Sequence, residues 1–105
     1  MSGAFASAPC RFLVLGADAG LALRSIRSGP GVWVLVTVRA SREPAHQAHL
    51  RERCRTAVQR FVLALACEGV EGAWIEDELP DAEGFRASGV DLVGQEPAGL
   101  VWCAA

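Results

Sequence analysis

Lysine is absent. All ten basic residues of this 105-residue chain are arginine, set against 12 acids for a formal net charge of −2 at pH 7. A chain so balanced has no general attraction for nucleic acid or for an anionic membrane, both of which call for a surplus of positive charge. Long apolar runs are also missing. The longest are strand-sized or fragments of a helix, well short of the ~20 residues that a membrane span needs. The opening "MSGAFASAPCRF" has neither the basic start nor the unbroken apolar run of a secretory signal. These absences predict a soluble, cytoplasmic protein.

What is present is largely apolar. Hydrophobic residues make up 51% of the chain and charged ones 21%, which excludes a disordered tail. The length suits one domain, residues 1–105, with a single core. So little polar surface also points to a partner. Cys10, Cys54, Cys67 and Cys103 are scattered, and two lie inside apolar runs, the pattern of reduced buried thiols rather than of a disulfide framework. Apolar surroundings raise a thiol pKa, so no reactive thiolate is expected.

The punctuation of the chain divides it into alternating elements. "CRFLVLG", closed by Gly16, reads as a strand. "GVWVLVTV" reads as a second strand, with Val32, Val34, Val36 and Val38 on one face and Trp33 and Leu35 on the other, as in a central strand covered on both sides. Between them "ADAGLALRSIRSG" carries Leu21, Leu23 and Ile26 and predicts a short helix. Ser41 and Pro44 are start signals for a long helix ending near Cys67, with Gly69 as its stop. Leu50, Cys54, Ala57, Phe61 and Leu65 form its apolar stripe, whereas its last segment, "FVLALAC", is apolar on every side and calls for protein all round it. "GAWIE" predicts a third strand, "DAEGFRAS" a helical turn and "AGLVWCA" a last strand, with Trp102 at an unguarded sheet edge. The resulting order is βαβαβαβ, one α+β unit with an α/β-like alternation, about four strands and a long central helix.

Several residues invite chemical readings. His46 and His49 lie three apart on the long helix with Cys54 five further on, but no third ligand follows at helical spacing. "GADAG" lacks the glycine spacing and the lysine of a phosphate loop. Trp33, Trp74 and Trp102 all fall on predicted strands, where a tryptophan is ordinarily core. Four arginines between Arg51 and Arg60 and six acids between Glu71 and Glu83 are either two solvated faces or a complementary pair of docking patches.

Three segments, "APCRFLVLG", "AVQRFVLALACEGVEGAWI" and "QEPAGLVWCA", together resemble the flavin-dependent nitroreductase family and stand in its order. Pro9, Arg11 and Phe12 match its Pro-Trp-Arg-Phe-like strand start. Gly69, Gly72, Trp74 and Ile75 match its Gly-Leu-Gly helix end and Gly-Ser-x-Trp-Ile-Gly strand, and Glu96 and Pro97 its late Glu-Pro. The resemblance covers nearly the whole chain and implies a truncated nitroreductase-like fold. Family members are longer, with an Arg-Arg-Ser segment for the flavin phosphate and arms that wrap a dimer. Neither is found here, and Glu76 and Asp77 stand where the family has glycine after Trp-Ile.

In that family FMN lies at a dimer interface, so the resemblance implies a half-site made by Pro9, Cys10, Arg11, Gly72, Ala73 and Trp74, with the cofactor shared with or held by a partner. The implied partner is a full-length nitroreductase-like catalytic subunit, as in flavoenzymes that desaturate cyclic dipeptides. The implied product is a hetero-oligomer able to grow into filaments. Phe61, Leu63, Leu65, Arg51, Arg55, Glu76 and Asp77 are the expected interface residues, with no catalytic residue and no metal ligand in this chain. A flavin-free homodimer that binds a small ligand or a protein is the rival expectation, and a self-sufficient minimal flavin reductase is a third.

Overall fold

The computed structural model describes residues 10–16, 23, 26–27, 29–77, 79, 85, 92 and 94–104. Among them are four strands, β1 (Cys10–Val14), β2 (Gly31–Arg39), β3 (Gly72–Ile75) and β4 (Gln95–Ala104), and one helix, α1 (Pro44–Cys67). The strands form a single sheet in the order β1-β2-β4-β3, and every neighbouring pair is antiparallel. The chain is thus α+β. The two shorter helices expected at "ADAGLALRSIRSG" and "DAEGFRAS" fall mostly outside the described residues. Leu23 and Phe85, which belong to those segments, are buried in the core.

β2 has the anticipated two-faced burial because its side chains alternate between two apolar clusters. Val34 and Val36 pack toward α1 with Cys54, Val58, Val101 and Cys103. Trp33 and Leu35 pack on the opposite face with Leu23, Phe85, Leu100 and Trp102. Trp33 and Trp102 are direct cross-strand partners, so both are core residues rather than surface features. Thr37, the one buried hydroxyl among the described residues, donates to Gln95 and is thereby satisfied.

Contrary to the edge position that the sequence predicts for Trp102, β4 is held between β2 and β3. Its burial follows from that position, since a strand with both ladders filled and both faces covered reads as a continuous apolar run. The strand starts earlier than "AGLVWCA" suggests and takes in Pro97, which has no N–H to offer a ladder. Proline is tolerated here because β3 pairs only with Leu100 to Cys103 and because the β2–β4 register slips beside it, leaving Ala98 unpaired.

α1 has the boundaries expected from the sequence. Pro44 occupies its first turn, where a missing N–H costs nothing. Ser41 supplies no side-chain cap; its N–H donates to Gln47 and its hydroxyl lies 3.0 Å from His46 Nδ1, tying the entering chain to the first turn. At the other end Gly69 adopts φ +76°, its N–H reaching Ala66 O at 3.0 Å and that of Val70 reaching Leu65 O at 2.8 Å. This paired return is a Schellman close, which favours glycine because the left-handed conformation crowds a Cβ.

Candidate docking site

β3 is a four-residue edge strand, and pairing with Val101 turns Trp74 toward the helix side of the sheet. Its ring lies across β4 at Gly99, where an added Cβ would stand 2.3 Å from Cη2 of the indole. Only glycine leaves that space. The indole N–H donates to Glu76 Oε1 at 2.7 Å, and the other carboxylate oxygen accepts from Arg55 of α1 at 3.2 Å. The Trp74 hydrogen bond, against some desolvation and with lesser help from Arg55, holds the Glu76 carboxyl below the ordinary glutamate value. Trp74, Glu76 and Arg55 thereby clip β3 to the helix.

Beside this clip the second half of α1 is left uncovered. Leu50, Cys54 and Val58 are buried, but one helical turn later Leu63 is 65% exposed, and Ala64, Ala66 and Cys67 are exposed as well. The expectation that this segment is surrounded is therefore not met by the chain's described residues. A helix on one sheet face can bury only the stripe that faces the sheet. Val58, Gln59, Val62, Leu63, Ala66 and Trp74 line an apolar groove of about 350 Å³. An apolar concavity with few polar atoms favours an apolar occupant.

The remaining candidate residues are dispersed. Cys10 and Arg11 are on β1 and Gly72, Ala73 and Trp74 on β3, the two opposite edges of the sheet, with β2 and β4 between them. Strand spacing puts them roughly 14 Å apart. Ala73 and Trp74 also face opposite sides, since neighbouring strand residues alternate, and Pro9 lies outside the described residues. Leu65 packs over Gly72, and Phe61 meets Phe12 edge-on with ring centroids 5.0 Å apart, so both are partly inward-facing. Arg51 pairs with Glu96 and Arg55 with Glu76 inside the chain. Asp77 is exposed. His46 and His49 are exposed while Cys54 is buried, and no group of three potential metal ligands occurs among the described residues.

The structure also brings together two groups that the sequence keeps 44 positions apart: Cys10 packs against the helix-side cluster that holds Cys54, and the two thiols perturb one another. The Cys54 S–H lowers the Cys10 thiol pKa, against partial burial, while the same contact and burial raise that of Cys54. Cys103 is raised by burial. The expected rise thus holds for Cys54 and Cys103 but not for Cys10, because its neighbour is a donor rather than a hydrocarbon. Period-two and period-3.6 patterns could have marked the two faces, not their meeting.

FMN requires cations or clustered N–H groups for its phosphate as well as an apolar slot for its ring. The groove supplies apolar walls, its nearby arginine is engaged by Glu76, and its lining residues carry no positive charge. These residues do not fit the whole cofactor. No protein-family model, curated protein or solved structure matches the chain. No helix among the described residues is long and apolar enough to cross a membrane.

Proposed function

We propose that this chain is an accessory subunit of a flavin-dependent oxidoreductase, inactive by itself, that docks onto a full-length nitroreductase-like catalytic chain. The observation that carries the reading is Leu63, 65% exposed on a 24-residue helix at the lip of an apolar groove closed by Trp74. Withdrawing such a face from water is favourable, at about 25 cal/mol for each Å² removed. The resemblance carried by Pro9, Arg11 and Phe12, by Gly69, Gly72, Trp74 and Ile75, and by Glu96 and Pro97 selects the partner and gives the chain a truncated nitroreductase-like fold of order βαβαβαβ.

The enzyme in this reading is a cyclodipeptide oxidase, in which a flavin removes hydrogen from a Cα–Cβ bond of a cyclic dipeptide and oxygen reoxidises the flavin. FMN stays with the catalytic chain. This subunit contributes apolar surface and stability, and the complex grows into hetero-oligomers or filaments. The test is coexpression with a full-length nitroreductase-like chain from the same genome. The expected outcome is a copurifying complex that carries flavin and desaturates cyclic dipeptides, with this chain colourless alone. A stable homodimer that ignores such chains would favour the flavin-free binding module, and flavin copurifying at one per chain would overturn the accessory role.

A further inference from the structure

β1 and α1 lie in step along one face of the sheet. Cys10, Phe12 and Val14 pair with Val38, Val36 and Val34 of β2, of which Val34 and Val36 belong to the helix-side cluster. Phe12 meets Phe61 of α1, and two residues earlier on the strand Cys10 packs against the cluster that holds Cys54, two helical turns before Phe61, the two thiols perturbing one another. Both pairs run in the same direction along the two elements, two strand residues covering about 7 Å and seven helical residues about 10 Å. The thiol contact is thus set by the same packing as the aromatic pair. Its two members differ in access, Cys10 being half-buried at the start of an edge strand and Cys54 only 1% exposed.

We propose that Cys10 and Cys54 form a peroxide-sensitive dithiol, in which Cys10 takes the oxidant and Cys54 resolves it into an intrachain disulfide fastening β1 to α1. The Cys10 sulfur, as thiolate, attacks one oxygen of hydrogen peroxide. An S–O bond forms, the O–O bond breaks, and hydroxide leaves to take up a proton as water. Cys10 has lost two electrons and is a sulfenic acid. The Cys54 sulfur then attacks the Cys10 sulfur, the S–O bond breaks, and the departing hydroxide leaves as water with the Cys54 proton. Two thiols and one peroxide give one disulfide and two waters. Cys103 shares the cluster but is buried on β4, and Cys67 is exposed at the far end of α1, so neither takes the first step.

The test uses the full chain in a Cys67→Ser background, treated with stoichiometric hydrogen peroxide, alkylated and digested without reduction. The expected product is a linked Cys10–Cys54 peptide pair that dithiothreitol releases, together with a raised Tm in the oxidised protein. Cys54→Ala should leave Cys10 as a sulfenic acid that dimedone traps. Because that change touches the core, Cys10→Ser on the sheet edge is the second variant, and in it Cys54 should remain a free thiol. A Cys54–Cys103 link, an oxidised Cys10 beside a free Cys54 in the parent background, or oxidation of Cys54 unchanged in Cys10→Ser would each overturn the proposal.

Discussion

Gly99 and Trp74 depend on one another. A Cβ at position 99 would fall 2.3 Å from the indole, and the contacted atoms belong to a rigid ring rather than to a flexible chain end. Gly99→Ala should therefore destabilise the protein by about 1–3 kcal/mol, the usual range for overpacking. Urea denaturation followed by fluorescence measures this, and adding Trp74→Ala should recover part of the loss. Glu76 gives a pH prediction. Its folded pKa is depressed, chiefly by the Trp74 N–H, so its stabilising contribution is present above the unfolded glutamate pKa and is lost as pH falls through the folded one. The stability difference between the wild type and Glu76→Gln should be present at neutral pH and vanish in acid. A difference that persists unchanged at pH values below both pKa values would show that the clip does not depend on the carboxylate charge.

α1 presents two faces with different consequences. Leu50 is 4% exposed and packs onto the sheet, so Leu50→Ala should cost about 2–5 kcal/mol in the isolated chain. Leu63 is largely exposed, and Leu63→Glu should change the stability of the isolated chain by no more than about 0.5 kcal/mol. The same substitution should abolish copurification with the proposed catalytic partner, because it would place an unpaired charge in a closed apolar contact. Size-exclusion chromatography of the coexpressed proteins reads the second effect. A complex left intact by Leu63→Glu would remove the helix from the interface.

Among the described residues the sheet has two edge strands, β1 and β3. An edge strand with unpaired backbone groups is a template for further association, and Phe12, Leu13 and Val14 on β1 are all exposed. Arg51 and Arg55 already have partners within the chain, so salt-sensitive contacts between subunits fall to other arginines such as Arg53 and Arg60, both exposed. The copurified complex is expected to form large or open-ended assemblies that lose mass as salt is raised. Light scattering at low and high salt checks this, and a closed heterodimer of constant mass at both would refute it.

Local physics was enough to place α1 and β2. Pro44 and Gly69 act through their own backbone restrictions, and the alternation of valines with Trp33 and Leu35 needs only the pleat of a strand, so the sequence by itself determined their boundaries and faces. The sequence also marked Trp74 and the apolar end of α1 as features in need of a neighbour. Tertiary structure alone decided which neighbours they have. That β4 lies inside the sheet, that Trp74 rests on Gly99, that Arg55 and Glu76 pair, and that Cys10 meets Cys54 are all contacts between residues far apart in the chain. Such contacts depend on strand order and on the register of a helix over a sheet, which no local pattern encodes.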